Sequence, residues 1–282
     1  MAKKTAVLIG INRYRVPGAN LRGCVPDVNN MSNLLQQLYG FDATDIHVLT
    51  DFDATKKAME EAITALIRGG ERGDVLMVHY SGHGSNVPDN NGDEPDNRDE
   101  ILCPTDLDWY DPLRDDWLRG VFDGLRDGVN LTVITDSCHS GTVTRAIEPP
   151  DAPIIARYLP SPWDLTAAES GRDLTGTTRG TLHKAPPSER GHDIVAVDDM
   201  PEVLITGCRA NQTSADAAID GGFAGALTHS LVEAITESTK PLSYRELHDK
   251  TCAKLKRGRF DQVPQLEGNK ARLDQLFLSP LD

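Results

Sequence analysis

The sequence predicts an α/β fold in which a mainly parallel sheet carries helices on both of its faces. Short apolar runs rich in β-branched residues alternate along the chain with stretches in which apolar residues recur at helical spacing. Such a strand–helix alternation with short turns is typical of a parallel sheet. With 282 residues, of which 39% are hydrophobic, the chain is long enough to bury a sizeable core.

The first half of the chain alternates regularly. A helix is predicted at 27–39, because apolar residues recur there every three or four positions and Gly40 follows as a helix terminator. A second helix, around residues 59–67, ends at a pair of glycines. We predict strands where apolar and β-branched residues run together, at 5–11, 46–50 and 75–80.

The middle of the chain is less regular. A loop is predicted at 86–100, which is dense in Asp, Asn, Gly and Pro, and a helix at 115–127. An apolar, β-branched strand follows and ends at Asp136. Residues 148–193 contain seven prolines and little apolar periodicity, so we predict a mobile or functional loop there.

The periodic pattern returns in the last third of the chain. A strand is predicted at 203–205, followed by a helix through 223–235. Ser243 and Glu246 match a capping box and indicate where another helix begins. The last strand is predicted at 263–267, and Pro264 favours a position at the sheet edge.

Composition excludes several classes of protein. The formal net charge is −14, so the chain should repel nucleic acid and anionic membranes, and we expect it to bind neither. No apolar segment approaches bilayer length, and the apolar run at 6–9 is too short for a signal peptide. The five cysteines are scattered without CxxC spacing, which argues against a disulfide framework and predicts a cytoplasmic location.

Two reactive side chains follow neighbouring predicted strands. His83 lies just past the strand at 75–80, and Cys138 lies just past the strand that ends at Asp136. Because open α/β sheets bind ligands at the carboxyl ends of their strands, we expect the imidazole and the thiol at one edge. A nearby imidazole can stabilise a nucleophilic thiolate and return a proton to a leaving amine. The backbone N–H groups of Gly84 and Cys138 are the predicted oxyanion hole.

Two structural alternatives remain open at this point. A cysteine after a strand is more often an inert core residue than a nucleophile, although a histidine between two glycines has no evident structural purpose. A zinc site could be built from His79, His83, Cys138 and His139, but their spacing matches no known ligand pattern. The occurrence of His and Cys together at two strand ends favours the catalytic interpretation.

Several motifs resemble those of the metacaspases and their prokaryotic relatives, the orthocaspases, which are caspase-like cysteine peptidases. The segments around His83 and Cys138, YSGHGS and DSCHSGT, carry this resemblance. Further matching segments are LIGIN at 8–12, LRGCVPD at 21–27, GCRANQTSADA at 207–217, GALTHSL at 225–231 and QVPQL at 262–266. The resemblance spans the chain except for 148–193. It implies a caspase-like three-layer α/β/α sandwich with a mainly parallel six-stranded sheet.

The resemblance also implies a cysteine endopeptidase with a catalytic dyad of His83 and Cys138 that cleaves peptide bonds after Arg or Lys. The acidic residues at the pocket positions agree with this specificity, because the guanidinium of a substrate Arg in a partly desolvated pocket needs a carboxylate partner. Without the family match, Asp27 and Asp136 could equally serve as caps, Asp27 at the start of a helix and Asp136 for local backbone N–H groups. The residues at the family's pocket positions are Cys24, Asp27, Ser81 and Asp136.

An enzyme of this specificity could cut its own chain. We expect a zymogen that forms one folded unit, with a large catalytic region at 1–147, a processing loop at 148–193 and a small region at 194–282. A merely flexible insertion is the alternative. The loop is rich in Pro and Ser and therefore suited to proteolysis, and its basic residues include Arg157, Arg172, Arg179, Lys184 and Arg190.

The remaining expectations concern ligands and partners. Many metacaspases are activated by Ca²⁺ that carboxylates bind. Three aspartates stand at the matching positions of this sequence, but Arg145 stands where the family has a fourth aspartate. We therefore expect calcium independence or weak binding, and the scheme requires no cofactor. The resemblance implies a monomer acting on proteins or peptides with a basic residue at the cleavage site. The rivals are a catalytically silent caspase-like scaffold and an Asp-specific peptidase, which the acidic pocket disfavours. The three aspartates are Asp99, Asp115 and Asp116.

Overall fold

The computed structural model of the chain describes residues 2–89, 92, 97–139, 152–169, 193–209 and 212–281. No helix within these ranges is both long and apolar enough to cross a bilayer. The strands are β1 (Lys4–Gly10), β2 (Ile46–Thr50), β3 (Val75–Ser81), β4 (Gly84–Pro88), β5 (Arg98–Leu102), β6 (Leu113–Arg114), β7 (Asn130–Asp136), β8 (Ile154–Ala156), β9 (Ile194–Ala196), β10 (Glu202–Thr206), β11 (Ala215–Ile219), β12 (Gly222–Gly225) and β13 (Gln265–Gly268). The helices are α1 (Cys24–Tyr39), α2 (Lys56–Gly69), α3 (Asp115–Phe122), α4 (Pro162–Glu169), α5 (Ala226–Thr236), α6 (Tyr244–Arg257) and α7 (Lys270–Leu273).

A seven-stranded sheet forms the centre of the molecule, in the order β2-β1-β3-β7-β10-β13-β9. Neighbouring strands are parallel, except that β10 and β13 are antiparallel. Two small antiparallel sheets, β4-β5-β6 and β12-β11-β8, accompany it. The predicted α/β fold with a mainly parallel sheet is confirmed.

Helices cover both faces of the central sheet, which gives three layers. Alternate residues of β1 point to opposite faces, as the pleat requires. Val7 and Ile9 belong to one core cluster with apolar residues of α2 and α3, whereas Ala6 and Leu8 pack with α1, α5 and α6. Because both faces are covered, every residue of the inner strands β3 and β7 is buried.

Local capping signals occur where the sequence predicts them. α1 ends at Gly40, whose φ of 69° is in the left-handed region that glycine adopts without strain. At the start of α6 the hydroxyl of Ser243 accepts from the N–H of Glu246, and the Glu246 carboxylate accepts from the N–H of Ser243. This reciprocal capping box satisfies two backbone donors that the helix itself leaves unpaired.

The structure corrects several predicted elements. The predicted loop at 86–100 is partly a hairpin, because β4 and β5 pair as antiparallel strands. The helix predicted at 115–127 ends at Phe122. The central sheet has seven strands and not six, because β9 was not predicted. β13 is not an edge strand, since β9 pairs along its outer side and Pro264 precedes the strand, where it removes no ladder hydrogen bond.

The prediction of a mobile loop at 148–193 is wrong for residues 152–169, which contain a strand and a helix. β8 pairs with β11, and α4 begins with Pro162 at its first position, where the missing N–H is not needed. β8 has only three residues, too few for any periodicity, so its partner strand and not its own sequence determines that it forms. Four of the five basic residues of that loop lie outside the described residues: Arg172, Arg179, Lys184 and Arg190.

Candidate active site

The carboxyl ends of β3 and β7 meet at one edge of the central sheet. Their last residues, Ser81 and Asp136, are paired neighbours in the parallel register. His83 and Cys138 each follow two residues later, and both side chains are buried. The parallel pairing therefore brings an imidazole and a thiol to the same edge of the sheet.

The imidazole of His83 is held in a defined orientation. Its Nε2 lies 2.8 Å from the carbonyl oxygen of Ala19, and because a carbonyl can only accept, Nε2 carries the proton. The buried Nδ1 has no hydrogen-bond partner among the described residues, so this nitrogen is the available base. Burial lowers the pKa of His83 to about 4, and the ring is therefore neutral near pH 7.

Two donors point at the sulfur of Cys138. One is the backbone N–H of Ser214, and the other is the thiol of Cys208, whose sulfur lies 3.5 Å from that of Cys138. The contact with Cys138 and burial both raise the pKa of Cys208, so Cys208 keeps the proton that it donates.

The two N–H groups predicted as an oxyanion hole donate to one atom. The N–H of Gly84 lies 3.0 Å, and that of Cys138 lies 3.1 Å, from the carbonyl oxygen of Arg157. Both are ordinary hydrogen-bond distances for an amide donor. Glycine is needed at position 84, because a Cβ there would come within 2.7 Å of the backbone carbonyl carbon of Cys138.

The side chain of Arg157 fills a pocket of carboxylates and is fully buried. Its Nη2 lies 2.8 Å from Asp27 and 3.2 Å from Asp216, and its Nη1 lies 3.2 Å from Asp136. Nη1 also donates to the hydroxyl of Ser81 at 2.7 Å. A charge removed from water is stable only when it is paired and hydrogen-bonded, and this pocket supplies both kinds of partner.

Backbone N–H groups fix the carboxylates of the pocket. The N–H of Gly225 donates to both oxygens of Asp27, at 3.0 Å each. Thr228 donates to Asp136 from its N–H at 2.9 Å and from its hydroxyl at 2.8 Å. Burial raises the pKa of Asp27, and the guanidinium of Arg157 opposes that rise. Since backbone donors hold the acids, the pocket is preorganised for a cation.

The structure brings all the predicted pocket residues together around this guanidinium. Cys24 is fully buried beside Ser81, and burial raises the pKa of its thiol, so it contributes a neutral wall. Among the described residues that contact Arg157, the carboxylates are therefore the only charged groups of the pocket. The predicted residues that meet there are Cys24, Asp27, Ser81 and Asp136.

A family model for the metacaspase peptidase C14 domain matches residues 4–146 of the chain. The chain belongs to the metacaspase family. It is 34% identical to Metacaspase-1B of Aspergillus oryzae over 284 residues, which cover 94% of this chain and 67% of that protein. It is 31% identical to Metacaspase-1 of Saccharomyces cerevisiae over 291 residues, which cover 95% of this chain and 66% of that protein. The chain thus spans about two thirds of the length of these relatives.

Solved structures resemble this metacaspase over nearly its whole length. The crystal structure of protein GSU0716 from Geobacter sulfurreducens has a TM-score of 0.69 at 28% identity and covers 99% of this chain and 100% of its own. Caspase-1 from Spodoptera frugiperda has a TM-score of 0.54 at 12% identity, covers 98% of this chain and 88% of its own, and shows the fold alone. The fold is caspase-like, and as a member of the peptidase C14 family the protein is a cysteine-type peptidase.

One of the three pocket acids of this metacaspase, Asp216, was not predicted from the sequence. Asp216 lies on β11, and its carboxylate accepts from the N–H of Gly23 at 2.8 Å while it faces the guanidinium. A usable signal existed, because Asp216 is the sole acidic residue of the segment GCRANQTSADA that carried the family resemblance. Gly225, which forms a wall of the pocket, was not predicted either.

The aspartates predicted as calcium ligands each pair with an arginine. Asp99 forms an ion pair with Arg114, and Arg119 lies 3.5 Å from Asp115 and 3.1 Å from Asp116. Within the described ranges, no group of three or more His, Cys, Asp or Glu side chains is arranged to hold a metal. The described residues therefore do not fit a calcium site of the usual oxygen-rich kind. Arg145, which replaces the family's fourth aspartate, lies outside the described residues.

The zinc alternative also lacks a ligand cluster among the residues that the structure describes. The ring of His79 lies 3.2 Å from the hydroxyl of Thr228, and the ring of His139 lies 3.2 Å from the carbonyl oxygen of Ile101. Each histidine thus has its own partner, as a buried structural histidine usually does.

Proposed function

We propose that this metacaspase is an endopeptidase that cleaves peptide bonds after Arg or Lys, with Cys138 as nucleophile and His83 as acid and base. The observation that carries the proposal is the placement of Arg157. Its guanidinium contacts buried carboxylates while its carbonyl oxygen accepts from the N–H groups of Gly84 and Cys138. The residue before the scissile bond of a substrate has to make both sets of contacts at once.

In the proposed mechanism, Nδ1 of His83 takes the thiol proton of Cys138 as the sulfur attacks the carbonyl carbon. The N–H groups of Gly84 and Cys138 stabilise the negative charge that develops on the carbonyl oxygen. His83 then gives its proton to the leaving amine, and a thioester remains. Water hydrolyses the thioester with His83 again as the base, and the thiol is restored.

The acidic pocket supports the proposed preference for basic residues. Asp27, Asp136 and Asp216 carry negative charge around one buried guanidinium, so a substrate carboxylate in the same place would be repelled by all of them. Arg fits such a pocket well, because its planar fork reaches more than one carboxylate at a time. We propose that Lys binds there too, as a single charge.

The scheme uses groups from one chain only. We propose that the enzyme acts as a monomer on proteins or peptides, without a cofactor and without a requirement for Ca²⁺. The alternative function is a catalytically silent caspase-like scaffold. The availability of Nδ1 of His83, which has no partner within the described residues, favours catalysis over this alternative.

The test is hydrolysis of two fluorogenic peptides, one ending in Arg and one in Asp, with a chelator present and after incubation of the enzyme at neutral pH. The wild type should cleave only the Arg peptide, and Cys138→Ala should abolish this activity. A matched control is Cys252→Ala, because Cys252 forms a second Cys–His pair on α6, 3.5 Å from Nε2 of His248. It should retain full activity. Silence of the wild type toward both peptides, or activity in Cys138→Ala, would contradict the proposal.

A further inference from the structure

The segment 152–159 runs through the proposed active site in an extended conformation. Before Arg157, β8 pairs with β11 in antiparallel register, with Ala156 opposite Ala215. The N–H of Arg157 continues this ladder and donates to the carbonyl of Ser214 at 2.9 Å. Main-chain pairing with a strand is a common way for proteins to bind extended peptides. The chain upstream of Arg157 is therefore held as a bound peptide would be.

The chain is also anchored downstream of Arg157. The N–H of Leu159 donates to the carbonyl of Gly84 at 3.0 Å. The hydroxyl of Ser85 donates to the carbonyl of Leu159 at 2.5 Å. Main-chain contacts on both sides of the peptide bond after Arg157 thus restrain it, as productive alignment of a scissile bond requires.

The side chain of Tyr158 has a binding site of its own. The residue is buried, and its ring packs in one apolar cluster with Cys138 and Cys208. Its hydroxyl donates to Asp164 of α4 at 2.7 Å and accepts from the amide of Asn86 at 3.2 Å. The residue on the far side of the peptide bond is thus recognised by its shape and by its hydroxyl.

A structural ion pair would explain only part of this arrangement. A buried arginine that served stability alone would need its guanidinium paired, and the pocket does that. It would not need its carbonyl oxygen between the N–H groups of Gly84 and Cys138, of which one belongs to the nucleophile itself. Both ends of Arg157 are bound as those of a substrate residue would be.

We infer that the peptide bond between Arg157 and Tyr158 is cleaved by the chain's own active site, and that the uncut segment 152–159 blocks the site until then. The inference rests on the proposed function, and it adds the bond that is cut and the consequence for activity. Arg157 is the one basic residue of the loop that lies among the described residues, and its side chain and carbonyl both occupy the site.

The cleavage follows the steps of the proposed mechanism. The sulfur of Cys138 bonds to the carbonyl carbon of Arg157, and the bond from that carbon to the nitrogen of Tyr158 breaks. The thiol proton passes through His83 to this nitrogen, which becomes the amino terminus of a new chain. Water then adds to the thioester, which yields the carboxyl group of Arg157 and returns a proton to the sulfur.

The experiment follows the purified 282-residue chain over time by intact mass and by the amino-terminal sequence of the products. The wild type should give two fragments, 1–157 and 158–282, and Cys138→Ala should give none. Arg157→Gln should slow cleavage at this bond at least ~100-fold, because an amide cannot replace a charge among buried carboxylates. Arg157→Lys keeps a positive charge and should still be cut. Arg179→Gln, at another basic residue of the loop, is the matched control and should be cut like the wild type.

The same samples are assayed with the Arg peptide. The wild type should show a lag that matches the time course of its cleavage, whereas Arg157→Gln should show none, because its segment has lost the charge that holds it in the pocket. Fragments that end elsewhere while the bond after Arg157 stays intact would overturn the inference. So would full peptide hydrolysis by the wild-type chain while it is still uncut.

The results distinguish failure of the proposed function from failure of the inferred cleavage site. Cys138-dependent hydrolysis of the Arg peptide without cleavage after Arg157 would leave the proposed function standing and sink the inference. Absence of both activities in the wild type would overturn the proposed function, and the inference with it.

Discussion

The backbone N–H of Cys138 donates a hydrogen bond to the carbonyl oxygen of Arg157 across 3.1 Å. The residue whose thiol would attack this carbonyl therefore also polarises it. The second donor, the N–H of Gly84, comes from the chain after the neighbouring strand. Two strand ends together thus define where the reacting carbon of the proposed mechanism would lie, and the parallel pairing of β3 with β7 sets the distance between them.

Replacement of Asp216 by Asn should weaken cleavage after Arg. The amide keeps the shape of the side chain and can still accept from the N–H of Gly23, but it loses the charge that faces the guanidinium at 3.2 Å. We expect kcat/KM for an Arg peptide to fall about 100-fold, or roughly 3 kcal/mol. The control is Asp220→Asn, at an exposed aspartate, which should not change the rate. Equal rates for the two variants would show that Asp216 is not part of the pocket.

Substitution of Gly225 by Ala should obstruct the pocket. The backbone there, with φ −71° and ψ 131°, suits any residue, but a Cβ would overlap Oδ2 of Asp136 and lie 2.6 Å from Cζ of the Arg157 side chain. We expect KM for an Arg peptide to rise at least ~10-fold through steric exclusion. Gly120→Ala on α3 meets no atom within 4 Å and serves as the control. An unchanged KM in Gly225→Ala would contradict the pocket assignment.

The carboxyl group of Glu267 should make the protein less stable as the pH rises. Burial, together with the nearby Glu202, raises the pKa of Glu267 from 4.5 to about 8, and neither of its oxygens has a hydrogen-bond partner among the described residues. Between these two values the folded state holds a proton that the unfolded state lacks, so the free energy of unfolding falls across this window and is level above it. Below pH 4.5 both states are protonated, and this effect vanishes.

Glu267→Gln should remove this dependence. We expect the variant to be more stable than the wild type by roughly 3–5 kcal/mol at pH 8, with a difference that shrinks toward pH 5. Thermal unfolding measured at several pH values checks this. Glu61→Gln, at an exposed glutamate of α2, should follow the wild-type curve. Parallel curves for wild type and Glu267→Gln would show that Glu267 ionises normally.

Calcium should not accelerate the peptidase. Asp99 is paired with Arg114, and Asp115 and Asp116 are paired with Arg119, so a cation would have to displace two arginines. Initial rates on an Arg peptide should be the same in chelator and in added Ca²⁺, with Mg²⁺ at equal ionic strength as the control for salt. A large rise specific to Ca²⁺ would reverse this expectation.

Local chemistry made several elements predictable from the sequence. Gly40 ends α1, and Ser243 with Glu246 begins α6, because caps depend on a few adjacent residues. The positions of His83 and Cys138 could be predicted as well, since each follows an apolar strand and parallel strands align their carboxyl ends.

Other features depend on partners distant in sequence. β9 has three residues and forms because β13 offers it an unpaired edge, and that pairing in turn moves β13 away from the edge of the sheet. Asp216 and Arg157 are 59 positions apart and meet only through the pairing of β8 with β11. The sequence identified Arg157 as one of five basic residues, but nothing in its neighbours indicates that it enters the pocket.

The central sheet has a consequence for a chain that is cut after Arg157. β7 would belong to one product and β10 to the other, yet the two strands lie side by side, with residues 131–135 paired to 202–206. The nicked protein would therefore be a heterodimer that shares a single sheet, with each product supplying the partner strand that the other lacks. It should migrate as one species on a native column and as two on a denaturing gel. Mixing the two separated products should then restore the folded protein, because each supplies the strand that the other lacks.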